Sequence, residues 1–392
     1  MRIGIDMRVV DPEEPGQQRY LWRLGAWLGG RAHEVHFLTV RPQPEEIEAP
    51  PSTTLHRWHT MPRGRLRAAV SSLELDALLL NPERSRRYRG IEANVLRSAY
   101  GTDQYSQKLR SFTGPVERSA RAALRVAPWT LAERRWERAF YEGPATPPDV
   151  IAQSRYMREQ ILATYRIPPD HVHVVHNAVD VEEYTPDARR MLRSEMRSRW
   201  SIPPEALCLL FLGHNFRLKG LWTLLEVLAG HESTEQPVHL LVAGRGTGDG
   251  QRRKARRLVR SAGLEGRVTF AGGVRRSLNA LAAADALLHL SWHDSFGFVT
   301  LEAMACGLPV ITTPWVGGSE LLEDGVSGLH VKPSDREGIA TAIRVLADDR
   351  RRESIGSAAA GVGARHDEPS NFKQVLEVLR TAVERGHGPV SA

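Results

Sequence analysis

HDSFGFVTLEAMACGLPV (residues 293–310) runs from loop through helix into strand. Phe296-Gly297-Phe298 makes a tight approach to an apolar run, Val299 to Cys306, that reads as a helix. Gly307 and Pro309 end it, and Val310-Ile311-Thr312 begins a strand. Asp294 then sits at the helix mouth, and Glu302, eight positions on, lies just over one turn inside. A helix N-terminus offers unpaired N–H groups and the positive end of a dipole, which suits a diphosphate. A carboxylate near the same end accepts hydrogen bonds from sugar hydroxyls. A lone pair of acids at this spacing would more often be a capped core helix with Asp294 exposed and Glu302 in a surface pair. The full string is more specific than the pair.

Outward from this stretch, short apolar strands alternate with helix-length segments. Leu207–Leu212 opens the series, and strands are predicted at 238–243, 267–271, 286–291 and 309–313. A similar alternation precedes it: strand-like Ile3–Val10, a helix over Gln18–Leu28, then strands at Val35–Val40, Ala77–Leu80, Asn94–Ala99 and Asp149–Gln153, the last leading into a helix over 155–165. Such alternation predicts doubly wound parallel sheets. The predicted organisation is an N-terminal Rossmann-like domain (1–180), a polar, proline-bearing linker with one short helix (181–206), a C-terminal Rossmann-like domain (207–370) and a final helix (371–392).

The length of 392 residues suits two domains, and 41% apolar residues suit an α/β protein with no membrane-spanning run. MRIGIDMRVV carries charges inside its apolar run and reads as a strand instead of a signal peptide. The two cysteines, Cys208 and Cys306, lie in apolar segments and read as reduced core residues. A cytoplasmic protein is expected, at most peripheral on the inner face of the membrane. The net charge of +7 is uneven, with Arg and Lys outnumbering Asp and Glu about two to one over residues 57–138. There Leu124, Trp129, Leu131, Trp136 and Phe140 interleave with Arg, a pattern that suits an anionic membrane surface. The second basic cluster, QRRKARRLVR at 251–260, reads as a solvated helix face, and no nucleic acid is expected as a partner.

The 293–310 string resembles the E-x7-E signature of the retaining glycosyltransferases of family 4, which have the GT-B fold, with Asp294 where that family usually has Glu. FLGHNFRLKG (211–220) resembles the family's phosphate-binding loop. HVHVVHNAVDVEEYTP (171–186) resembles the segment that closes its N-terminal domain, with Ala178 in place of Gly. RVTFAGGV, ALLHLSWHDSFG and WVGGSELLEDGVSGLHV follow in family order. The resemblance covers roughly residues 149–350 well and is thinner before, where EPGQQRYLWRLGAWLGGRAHEVHFLTV is similar to the lipopolysaccharide-core glucosyltransferase branch.

The resemblance implies two Rossmann-like domains facing a cleft. It also implies a metal-independent transfer, without cofactor, from a UDP- or GDP-linked sugar to a saccharide or glycolipid acceptor such as lipopolysaccharide core. Glu302 would bind the ribose. Asp294 and the backbone of Phe296, Gly297, Phe298 and Val299 would hold the donor sugar. Lys219 and Arg217 would neutralise the departing phosphate, with Arg217 standing in for a family Arg whose place holds His214 or Asn215. Gly16 would let a phosphate approach the first domain, a plain turn glycine being an equal alternative. Asp103 lies where the family has a residue near the reacting carbon, often His; a helix N-cap is the competing reading. Gly244-Arg245-Gly246-Thr247-Gly248 is a secondary phosphate-loop candidate. His171, His173 and His176 have no acid or Cys at ligand spacing, and no metal site is expected. Two rivals stand beside this reading: a nucleotide-sugar epimerase or hydrolase of the same fold, and a non-catalytic basic protein for anionic lipid or nucleic acid. A dinucleotide dehydrogenase is disfavoured, because no G-x-G-x-x-G opens the first helix.

Overall fold

The apolar runs LCLLFL and VHLLVA are buried along almost their whole length, as strands covered on both faces of a parallel sheet must be. The computed structural model describes residues 1–7, 16–39, 47–81, 91–98, 128–230 and 236–386. The chain divides into two compact units, one of Met1–His176 with Pro369–Ala392, the other of Asn177–Glu368.

The first unit holds a seven-stranded parallel sheet of β1 (Arg2–Asp6), β2 (Glu34–Thr39), β3 (Thr53–Arg57), β4 (Ala77–Leu80), β5 (Val95–Ser98), β6 (Asp149–Ala152) and β7 (Val172–Val174), in the order β3-β2-β1-β4-β5-β6-β7. Helix α1 (Gln17–Gly29) buries Tyr20, Leu21, Leu24 and Leu28. The other described helices before residue 176 are α2 (Arg63–Ser71), α3 (Pro128–Glu142) and α4 (Arg155–Thr164). A helix from the end of the chain, Glu368–Glu384, completes this unit: Phe372 packs edge-on against Tyr20 and Trp27, and the Tyr20 hydroxyl donates to Asn371 Oδ1 at 2.6 Å.

The second unit is a six-stranded parallel sheet, β10-β9-β8-β11-β12-β13. Its strands are β8 (Leu207–Leu212), β9 (Val238–Ala243), β10 (Val268–Gly272), β11 (Ala286–His289), β12 (Val310–Thr312) and β13 (Leu329–His330). Before them runs α5 (Pro186–Arg199), and between and after them α6 (Leu221–Ala229), α7 (Asp249–Ser261), α8 (Ser277–Ala283), α9 (Phe298–Ala305), α10 (Arg336–Ala347) and α11 (Asp349–Gly363); Glu368–Glu384 is α12. The two sheet faces carry separate apolar cores. One includes Leu210, Leu241, Leu287, Leu301 and Met304, the other Leu209, Phe211, Leu240, Leu288 and Ile343. Cys208 and Cys306 are free and buried, and burial pushes both thiols up to about 12.

Two expectations change. Residues 181–206 are no linker: Thr185 caps α5 by accepting from the Ala188 N–H, and the helix packs on α8 as part of the second unit. Most of the segment's charges face solvent, but Arg197 is buried and Arg193 half-buried against one acid. Arg193 and Arg197 donate to the two oxygens of Asp285 at 2.7 and 3.1 Å, and the Cys208 N–H donates to the same carboxylate at 2.8 Å. Phe140, assigned from sequence to an interfacial face of α3, is buried in the core with Trp136 edge-on at 5.2 Å, while Leu131 on the same helix is exposed. Edge strand β3, of mixed polarity, and two-residue β13 give no period that a sequence shows. Residues 99–127, with Asp103, lie outside the described residues. Among the described residues no helix is long and apolar enough to cross a membrane.

Breaking a buried ion pair by removing one partner costs ~3–5 kcal/mol. Asp285→Ala, which strands Arg197 and Arg193 against α5, is therefore expected to lower stability by that order in a denaturant titration, and Arg190→Ala, in an exposed pair on the same helix, by less than about 1 kcal/mol.

Candidate functional site

Strand β8 ends at Leu212, and the chain turns through 213–220 before α6. Asn215 organises the turn. Its carbonyl accepts from the Lys219 N–H at 2.9 Å and its side-chain oxygen from the Leu218 N–H at 3.2 Å. Gln251 braces the turn from α7, accepting from the Phe216 N–H and donating to Asn215. Gly220 has φ +83°, and a Cβ there would stand 2.3 Å from the Leu290 carbonyl oxygen. Only glycine lets this turn lie against the chain leaving β11. Leu218 then accepts from the Trp292 N–H at 2.9 Å, which fixes the Lys219 turn to the 290–294 segment.

Asp294 is anchored by its backbone on the other side. Its N–H donates to the Trp315 carbonyl at 2.9 Å and its carbonyl accepts from the Gly317 N–H at 3.0 Å. The Gly318 N–H donates to the Phe296 carbonyl at 2.8 Å, so the turn around 315–318 carries the mouth of α9. The Asp294 carboxylate meets three donors: the Lys219 ammonium, His289 Nε2 at 3.1 Å and the Phe296 N–H at 3.4 Å. His289, the last residue of β11, is 2% exposed, and its Nδ1 lies 2.8 Å from the Thr300 hydroxyl on α9. Gly297, at φ +78°, passes so close that a Cβ would stand 2.4 Å from His289 Cε1.

The charges follow from these contacts. Burial alone would raise the Asp294 carboxyl, but the Lys219 ammonium and the His289 contact overcome it and hold the group well below the usual carboxylate range. Burial, reinforced by Lys219, pushes His289 below its ordinary value in spite of Asp294. His289 Nε2 lies 3.1 Å from the Asp294 carboxylate and 3.4 Å from the Lys219 ammonium; the nearer group only accepts, so the proton of the neutral ring is assigned to Nε2. Nδ1 then accepts from Thr300, an assignment made from partner chemistry.

The structure brings Lys219, Asp294 and the α9 mouth together. The Phe296 side chain is fully buried, so only its backbone faces the site, while Gly297, Phe298 and Val299 are half-buried at the mouth. Glu302 is half-buried on α9, as is Arg217 in the turn before Lys219. Asn215, one candidate for the place of the missing Arg, uses its side chain within the turn; His214 is exposed. Gly244 joins β9 to β10 through its N–H to the Gly272 carbonyl at 2.6 Å. Gly16 caps α1 in the first unit at φ +81°. Sequence reasoning missed His289, because one histidine closing the apolar strand ALLH reads as core. It also separated the histidines of 171–176 from any acid. In the structure His173 Nε2 lies 2.6 Å from Asp149 Oδ1, an oxygen that also accepts from Arg385 at 3.1 Å. Among the described residues no group of three or more His, Cys, Asp or Glu is placed to hold a metal ion.

Residues 193–362, within the second unit, match the family model of glycosyl transferases group 1, and residues 111–183 match that of glycosyltransferase family 4. The D-inositol 3-phosphate glycosyltransferase of Corynebacterium kroppenstedtii is 29% identical over 246 residues, which is 60% of this chain and 54% of that protein. The chain spans just over half the length of the curated relatives it matches. Among solved structures, WaaG, a glycosyltransferase involved in lipopolysaccharide biosynthesis, superposes with a TM-score of 0.77 at 20% identity, over 96% of this chain and 99% of that one. HepE from Anabaena, in complex with UDP and glucose, gives 0.70 at 18% identity over 97% and 100%. At these identities the likeness is one of fold, and the fold is GT-B.

His289 sets a pH dependence of stability. The unfolded ring gains a proton below about pH 6.5 while the folded ring stays neutral, so stability falls as pH drops through that value. Asp294 stays ionised in this range; its contribution is present above about pH 3.9 and is lost only as pH falls through its lower folded value. Thermal denaturation between pH 7.5 and 5.5 is expected to show His289→Gln losing less stability than wild type, the gap widening by up to about 1.4 kcal/mol per pH unit below 6.5. Equal slopes would mean that His289 ionises normally.

Proposed function

With a glycosyl transferases group 1 domain in its second unit, we propose that this chain moves a hexosyl group from a nucleotide sugar to a hydroxyl acceptor. The observation that carries the reading is the Lys219–Asp294 pair at the mouth of α9, beyond the C-terminal ends of β8 and β11. Ligands of open parallel sheets bind at that edge. The diphosphate lies along the α9 N-terminus, where backbone N–H groups and the dipole favour negative charge. Lys219 and Arg217 supply cations for the β-phosphate as the bond from its oxygen to the sugar C1 breaks. The acceptor oxygen bonds to C1 on the same face, and the departing phosphate oxygen takes its proton, giving retention without a protein nucleophile or a metal ion. Glu302 holds the ribose hydroxyls.

Retention is supported by the likeness of the Asp294–Glu302 string to E-x7-E. A UDP-linked hexose is the first donor to test, because HepE is described with UDP and glucose. For the acceptor, the fold relative WaaG supports a cell-envelope saccharide or glycolipid, and the sequence relatives support a phosphorylated inositol. Incubation with donor alone separates transfer from epimerisation or hydrolysis. The anionic membrane surface stays part of the proposal through the basic excess of residues 57–138.

A thermal-shift panel of UDP-, GDP-, ADP- and CMP-sugars identifies the donor by stabilisation, and kinetics on variants then divide the roles. Lys219→Ala is expected to lower kcat by about 10²–10³-fold, since the phosphate gains charge in the transition state. Glu302→Ala is expected to act mainly on KM and to weaken the free nucleoside diphosphate equally, because the ribose contact is made in both complexes. Unchanged kcat in the first, or unchanged nucleotide affinity in the second, removes that residue from its role. Co-sedimentation with anionic vesicles, absent with neutral ones and weakened by salt, is the expected membrane result; equal binding to both removes the surface from the proposal.

A further inference from the structure

Two donors share one oxygen of Asp294, and only one of them is free to move. Lys219 reaches Asp294 Oδ2 on a long stem that is 20% exposed. His289 reaches the same oxygen from the end of a buried strand, its side chain 2% exposed. Thr300 fixes the ring at Nδ1, and the Gly297 backbone lies against Cε1. A diphosphate carries more charge than one carboxylate and offers several acceptor oxygens, so it competes for the ammonium. Once Lys219 turns to it, Asp294 keeps two neutral donors, the Phe296 N–H and the histidine.

Resting on the glycosyl-transfer reading above, we infer that His289 is a positioning residue that holds the Asp294 carboxylate in place while Lys219 serves the departing phosphate. The ring does this as a neutral donor, so it brings no cation to rival Lys219. The Asp294 carboxylate, which only accepts, selects the tautomer with the proton on Nε2, and the Thr300 hydroxyl supports it by donating to Nδ1. Three residues from β11, the loop after it and the first turn of α9 thereby act on the donor-sugar side of the site, and His289 and Thr300 do so without touching the substrate. The bare nucleoside diphosphate gains nothing from this arrangement, which separates its loss from a loss of binding.

The test pairs kinetics with the ring's own spectrum. Using the donor found in the panel, His289→Leu is expected to lower kcat about 10- to 100-fold, by analogy with the loss of hydrogen-bond partners that orient metal-binding side chains. Nucleoside-diphosphate affinity should hold within about twofold. His289→Gln, whose amide can donate to Asp294, should recover most of the loss. In wild type with UDP bound, 15N spectra of the ring should show the proton on Nε2, and Thr300→Val should weaken that preference. Wild-type kcat in a folded His289→Leu, equal loss in the Leu and Gln variants, or a proton on Nδ1 each overturns the inference. A wild type that transfers from no donor overturns the glycosyl-transfer reading instead. The ring spectrum of the nucleotide complex then still decides whether His289 donates to Asp294.

Discussion

A carboxylate withdrawn from water must be met by donors or give up its charge, and Asp294 is met by three from different parts of the second unit. Lys219 arrives from the turn after β8, His289 from the end of β11, and the Phe296 N–H from the approach to α9. None of the three could meet the acid if the backbones stood farther apart. Glycines at 220 and 297 permit that closeness, one against the Leu290 carbonyl and one against the His289 ring. The turn at 315–318 holds the acid's own backbone from the remaining side. The site is therefore an electrostatic knot drawn tight by missing side chains.

β11 ties this knot to the rest of the unit. Asp285 immediately precedes the strand and His289 ends it, so three residues separate one buried charge cluster from another. The Asp285 cluster clamps α5 to the base of the sheet through Arg193 and Arg197. The His289 cluster sits at the opposite end, where chemistry is expected. A short, fully buried strand of this kind has little freedom to slide, because either shift would pull a charged group away from its partners. Position at the functional end is thus referred to an anchor at the structural end.

What the sequence made legible was apolar burial. LCLLFL and VHLLVA announce their strands, and α9 begins within one residue of the expected place because Gly297 and Gly307 bracket it. Compensated charge was not legible. Lys219 and Asp294 were both singled out, yet their pairing spans 75 positions and leaves no local pattern. His289 hid in an apolar strand for the same reason. The 181–206 segment looked like a linker because its polar residues read as surface, whereas Arg197 is buried against Asp285, 88 positions further along the chain. Phe140 erred in the other sense: aromatics among arginines suggest an interface, and only packing shows that this ring faces the core.

The two thiols have a practical consequence. Sulfhydryl reagents attack the thiolate, and a thiol pushed up to about 12 presents on the order of one thiolate in 10⁵ at pH 7. Cys208 and Cys306 are also enclosed by core side chains. The chain is in effect already a cysteine-free background. A single cysteine placed on an exposed position such as Thr247 or Met191 can carry a fluorophore or spin label on native protein, with both natural sulfurs left in place.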